Sequence, residues 1–216
     1  MTPAEIIAAL ALAVAGYACG SISFAIVVGK WGMGVDVREH GSGNVGATNV
    51  FRVLGWKAAV LVFLGDFMKG LAPTLVAVYF FGPWIAVIVG ASTVCGHMFS
   101  VFLRGSGGKG VATAAGVATA LMWHIFIPAI ILWALVLVVS RMVSLASIVA
   151  SSAFVAMTFI IDEPLAYQLF SLVTCLAILW RHRANIRRIA LGSETRVRFP
   201  WNAAPQESDQ AEESQP

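Results

Sequence analysis

Apolar runs cover about 4–28, 53–81, 84–103, 111–139, 143–161 and 164–180 of the 216 residues, and the charged residues fall between them. About 20 apolar residues span a hydrocarbon layer of roughly 30 Å, where a backbone satisfies its own polar groups only as a helix or a closed barrel. Six crossings from an outside N-terminus put Lys30, Arg38, Arg52, Lys57, Arg104 and Lys109 inside. They leave Arg141 and the six arginines of 181–198 outside, against the preference of Lys and Arg for the cytoplasmic side. Breaking the run 111–139 near Trp123 and His124 gives seven crossings and brings all thirteen of these cations inside. Lys69, the fourteenth, falls within a span. The pattern therefore predicts an all-α integral membrane protein of about seven helices, N-terminus outside and C-terminus cytoplasmic. The break leaves residues 111–122 only about 18 Å long as a helix, so the fourth element is expected to be short or half-crossing.

Composition agrees: 59% of the chain is hydrophobic and 12% charged, against about a quarter charged in soluble domains. Residues 1–200 read as one polytopic membrane domain. Residues 201–216, with Glu207, Asp209, Glu212 and Glu213, read as a disordered acidic cytoplasmic tail. Glu5 and the absence of Lys or Arg before Lys30 favour an uncleaved first span over a signal peptide. Trp31, Trp56, Trp84, Trp123 and Trp180 fall near predicted span ends, as an interfacial aromatic belt requires. Cys19, Cys95 and Cys175 lie in apolar runs and read as packed thiols.

With seven crossings, three polar segments share the cytoplasmic face: Glu39–Arg52, Gly96–Gly110 and Arg181–Glu194. Together they supply glycines, fixed cations, hydroxyls and amides, a set suited to an anionic, hydroxylated substrate. Gly41, Gly43 and Gly46 imitate a dinucleotide fingerprint with Asp66 twenty residues on. That fingerprint needs a strand and a parallel sheet, whereas Asp66 sits in an apolar span. Gly108–Lys109 is not a nucleotide P-loop, because Gly110 stands where Ser or Thr is required and Leu103 where Gly is. The run Gly107–Gly110 nevertheless opens an apolar helix, where free N–H groups, a positive dipole end and Lys109 can hold phosphate.

Taken singly, several of these residues have plainer roles. Arg52 can snorkel to the interface, and Ser42, Asn44, Thr48 and Asn49 can serve as turn and cap residues. His97 can be a packing residue, and His124 an interfacial one. Asp66 and Lys69, one helical turn apart, read first as a neutralising pair. The arginines of 183–198 read as contacts to lipid headgroups.

The motifs also resemble a known family. Ser42 to Asn49 with Arg52, Gly96–His97 with Gly107 to Thr113, and His182, Asn185, Gly192 and Glu194 are similar, in order, to three signature motifs of the bacterial acyl-phosphate:glycerol-3-phosphate acyltransferases. Gly20–Ser21, Val35 to Arg38 and Asp66, Lys69 and Gly70 match as well. The resemblance implies acyl transfer from acyl phosphate to the first hydroxyl of glycerol 3-phosphate, giving lysophosphatidic acid, at the cytoplasmic face of the bacterial inner membrane. It assigns the acceptor to Ser42, Arg52, Lys109, His182 and Asn185, with Asn44, Thr48, Asn49 and His97 around the substrates. It assigns the donor phosphoryl group to the glycine loop with Gly107, Gly108 and Gly110, and leaves Glu194 to organise the basic segment. Ser23 and Ser100 stand where the family has proline.

An acyl phosphate carries a good leaving group, so the protein needs chiefly to position two anions. None of His40, His97, His124 or His182 has Asp five residues later, which favours proton transfer to a substrate phosphate, with His182 the other candidate base. Neither a cofactor, a metal nor a nucleic acid is expected. The partners are the two substrates and membrane lipids, and the sequence leaves the oligomeric state open, a monomer among the options. The competing class is a membrane carrier or channel for organic phosphates. Such a protein should place polar groups near the midplane, with access from both sides.

Overall fold

The computed structural model describes residues 3–197, so the acidic tail lies outside the described residues. The helices are α1 (Pro3–Ser21), α2 (Phe24–Ile26), α3 (Ala47–Leu54), α4 (Trp56–Phe81), α5 (Pro83–Met98), α6 (Val111–Ser140), α7 (Val143–Ile160), α8 (Leu165–Arg181) and α9 (Arg183–Ala190). Five helical stretches are long and apolar enough to cross a membrane: Ile6–Gly32, Trp56–Phe81, Pro83–Leu103, Val111–Ser140 and Val143–Ile160. The pair α8 and α9, bent by 61°, adds a sixth if the two are counted as one span. The apolar run from residue 4 to 28 is not one straight helix. It breaks at Ile22 and Ser23, and resumes through α2 into a π-helical turn, Val27–Gly32.

The long helix α6 doubles back. Met122 has φ −145° and ψ 56°, outside helical geometry. A straight helix of 30 residues would hold its ends about 45 Å apart. Instead both ends reach one cluster. Lys109, just before α6, donates to Asn185 Oδ1 at 2.7 Å, and Ser144, just after it, donates to Glu194 Oε1 at 2.7 Å. Asn185 Nδ2 joins that same Glu194 oxygen at 2.7 Å. Beside the reversal, His124 meets Glu163 at 2.6 Å in the α7–α8 connection. The break expected near Trp123 and His124 thus occurs one residue earlier.

Small residues let the helices approach to backbone contact, the usual driving arrangement where lipid offers no hydrophobic gain. A Cβ on Gly20 would strike the Thr93 carbonyl, and one on Gly96 would strike the Tyr17 carbonyl. The crossing of α1 with α5 sets the end of α1 beside His97. Ser100 Oγ donates to the Ser21 carbonyl at 2.6 Å and Lys69 Nζ to the Ile22 carbonyl at 2.6 Å. The carbonyls freed where α1 breaks are therefore satisfied by side chains, as buried helix ends require.

Candidate active site

The first polar segment is wound around Asn49. Its amide donates to the Val37 and His40 carbonyls at 2.8 and 3.1 Å, and its oxygen accepts from the Ser42 N–H and hydroxyl at 2.8 and 3.1 Å. Gly41 and Gly43 turn the chain at φ +61° and +69°, where residues with a Cβ are strained. Asn49 is buried and engaged at both ends of its amide, so it shapes the loop. Arg52 is exposed on α3 and makes no ion pair among the described residues. Asn44 and Thr48 are half-buried on the same segment.

The second segment corrects an expectation. The N–H groups of Gly107 and Gly108 do not line a phosphate cradle. They donate to the Met98 and His97 carbonyls at 3.2 and 3.0 Å, closing the loop against the last turn of α5. Their own carbonyls accept from Arg181, through Nη2 at Gly107 and Nε at Gly108. Both glycines are needed for close approach: a Cβ on Gly107 would enter the His97 carbonyl, and one on Gly108 the His97 imidazole. Gly110, at φ +84°, turns the chain into α6. Among the described residues, the N–H groups of Lys109 to Thr113 donate to no backbone carbonyl outside the helix. They form the open donor row, shifted two residues beyond the expected cradle. His97 contacts the loop and Asp66, with Nδ1 at 3.5 Å from Asp66 Oδ1, and so stands behind the loop.

The third segment closes the cluster. Glu194 accepts from Ser144, Asn185 and Arg188, each at 2.7 Å. Burial raises its carboxyl pKa, but these three donors outweigh burial and hold it below its ordinary value. Burial pushes Lys109 down to about 8, and Arg188, Arg52 and Arg181 press it the same way, opposed by Glu194. His182 is buried and its Nδ1 lies 2.8 Å from the Ile178 carbonyl. A carbonyl can only accept, so Nδ1 carries the proton and Nε2 keeps its lone pair in the neutral ring. Burial and the Lys109 charge push His182 down to about 4, so the ring is neutral near pH 7.

Val45 of the first segment and Gly108 of the second pack around one tight internal gap with Ser21, Lys69 and His97. Arg52 acts on Lys109 through space, and Lys109 touches Asn185. All three segments therefore meet at one end of the helices. The glycerol-3-phosphate acyltransferase family model matches residues 10–192.

The chain belongs to the glycerol-3-phosphate acyltransferase family.

Relatives in this acyltransferase family include the glycerol-3-phosphate acyltransferase of Geobacillus kaustophilus, 42% identical over 85% of this chain and 93% of the relative. That of Aquifex aeolicus is 44% identical over 87% of this chain and 98% of the relative. A crystal structure of PlsY (YgiH), an integral membrane glycerol 3-phosphate acyltransferase in its glycerol 3-phosphate form, is similar at TM-score 0.86 and 43% identity. The likeness covers 88% of this chain and 96% of that one. With helices of membrane-crossing length and this likeness, the chain is a multi-pass membrane protein.

Two further residues organise this cluster without a role that the sequence pattern assigns. Arg181 grips both glycine carbonyls, and Ser144 anchors Glu194 to the start of α7. Arg181 carries a signal, since it opens the third polar segment and directly precedes His182 of the third motif. Ser144 carries none, because a serine in the first turn of a helix is commonplace.

Proposed function

We propose that this glycerol 3-phosphate acyltransferase takes its acyl group from an acyl phosphate, at a site on the cytoplasmic face of the bacterial inner membrane. The observation that carries this reading is the meeting of Lys109, Arg52, Asn185 and neutral His182 around the open N–H row at the start of α6. Two anions can be held there side by side, one by the side-chain cations and one by the helix start.

Arg52, Lys109 and Asn185 would bind the glycerol 3-phosphate dianion, with Ser42 on its glycerol portion. His182 Nε2 would accept a hydrogen bond from the reacting hydroxyl and aim it. The hydroxyl oxygen attacks the acyl carbon, the bond from acyl carbon to phosphate oxygen breaks, and the hydroxyl proton passes to a phosphate oxygen. The products are lysophosphatidic acid and inorganic phosphate. His182, with its low proton affinity, serves better to orient the hydroxyl than to keep its proton.

The same reading includes seven crossings, the two halves of α6 counting as two, with the N-terminus outside and the C-terminus inside. The doubled-back α6 supports it, since a single crossing by 111–140 would separate ends that share a cluster.

Purified protein given acyl phosphate and glycerol 3-phosphate should release lysophosphatidate and phosphate in equal amounts. Efficient product formation from an acyl thioester, with none from acyl phosphate, would overturn the donor assignment.

A further inference from the structure

We infer that Asp66, Lys69 and His97 are positioning residues of the donor site: a buried ion pair in α4 sets the imidazole on which the glycine loop rests. This inference rests on the reading that the loop and the start of α6 receive the acyl phosphate.

Asp66 and Lys69 are buried, 1% and 5% exposed, in a helix otherwise apolar enough to cross a membrane. Lys69 Nζ lies 2.7 Å from Asp66 Oδ1. A pair serving only to cancel its own charge could end there, yet both partners reach further. Lys69 donates to the Ile22 carbonyl, where α1 breaks, and Asp66 lies 3.5 Å from His97 Nδ1.

The imidazole bridges the pair to the loop. With Nδ1 toward Asp66, its Nε2 edge faces Gly108, where an added Cβ would collide with Nε2, Cε1 and Cδ2 together. The His97 carbonyl takes the Gly108 N–H at 3.0 Å, so one residue holds this glycine by backbone and side chain. Gly108 is followed directly by Lys109, where the open N–H row begins. A shift of His97 therefore moves the row itself. Charges held inside a membrane domain are costly, and this expense is explained if it fixes a catalytic geometry. Ion pair, imidazole, glycine and anion site form one continuous stack, with α1, α4 and α5 each supplying a fixed point.

His97 acts in this stack through Gly108 and not on substrate. If the imidazole is what forbids a side chain at residue 108, the two positions are energetically coupled, as contacting residues are. Gly108→Ala should raise the donor KM by about 10-fold or more, the scale on which small misplacements cost rate. His97→Ala should raise it by about the same factor. The double variant should be no worse than either single change, because the methyl then occupies space the ring has left. For the ion pair, Asp66→Asn leaves Lys69 unpaired and threatens folding. The double change Asp66→Asn with Lys69→Met removes both charges. It should recover thermal stability while the donor KM stays raised and the acceptor KM is little altered.

Wild-type protein assayed beside the variants separates the two layers of the argument. No turnover with acyl phosphate by folded wild type would defeat the donor reading itself. Turnover by wild type, with unchanged donor KM in the folded variants or with additive losses at 97 and 108, would overturn the positioning role. Loss of folded protein across the whole set would assign these residues to stability alone and overturn it equally.

Discussion

Lys109 and Asn185 meet at 2.7 Å although 76 positions separate them in sequence. Through that contact the helix start of α6 and the amphipathic α9 become walls of one site. The bond also gives Lys109 a neutral partner in a region where Arg52, Arg181 and Arg188 already lower its proton affinity.

A pH dependence follows from that lowered affinity. Burial pushes Lys109 down to about 8, and its charged form, which would attract the acceptor dianion in the proposed site, is lost as pH rises through that value. A phosphate monoester gains its second charge at about pH 6. The acceptor KM should therefore be lowest between these limits and climb above about pH 8. Lys109→Arg, if it retains turnover, should move the alkaline climb upward. Initial rates at saturating donor across pH 5.5–9.5 check this, and a flat acceptor KM through pH 9 would contradict it.

Arg52 is exposed and makes no ion pair among the described residues, so its planar fork is available to a phosphate. Arg52→Lys keeps the charge but loses two-pronged donation. The loss of about 2–3 kcal/mol corresponds to about 30–150-fold in kcat/KM for glycerol 3-phosphate. Near wild-type kinetics would return Arg52 to a headgroup contact.

Glu194 holds three donors, two of them buried. Glu194→Ala strands Ser144 and Asn185 and releases Arg188, which is half-exposed and loses less. We expect a destabilisation of about 2–3 kcal/mol, read as a lower melting temperature in detergent. Its folded pKa is depressed, so its contribution is present at neutral pH and is lost as pH falls through that depressed value. The melting-temperature gap between wild type and Glu194→Ala should narrow in acid, and a constant gap would remove the charge from the account.

Topology can be read by labelling single cysteines placed at Asp162 and Ser193 in a background lacking Cys19, Cys95 and Cys175. Residue 162 sits at the α7–α8 connection beside the reversal of α6, and residue 193 at the other end of the bundle. Impermeant reagent should reach 162 from outside and 193 only after the membrane is opened. Both reacting from one side would exclude seven crossings.

Much of this architecture was legible because charge and hydropathy act over whole segments. The asymmetry of thirteen cations located the reversal of α6 within a residue or two, although hydropathy runs unbroken through Met122. The pairing of Asp66 with Lys69 was legible from helical spacing alone. The glycine loop was only half legible. A run of glycines signals either exposed N–H groups or close backbone packing, and composition does not separate them; here Gly107 and Gly108 serve packing. Asn49 offered the same ambiguity between ligand and loop organiser, and its contacts to Val37, His40 and Ser42, which no local pattern announces, serve the loop. Ser144 and Arg181 depend on partners 50 and more than 70 positions away, beyond the reach of any periodicity.

The 61° bend between α8 and α9 carries Arg183, Arg187 and Arg188 off the axis of the preceding helix, and Arg188 lies near enough to Lys109 to lower its proton affinity. For a dianion arriving from solution, this is a matter of encounter, before any contact is made. Cations spread along an oblique helix extend an attractive field over the entrance, and at physiological ionic strength that field persists for about 8 Å. Capture of the soluble substrate at the proposed site would thereby be faster than its chance collision with a small target. A donor confined to the bilayer, as the proposed acyl phosphate would be, would gain nothing from that long-range pull.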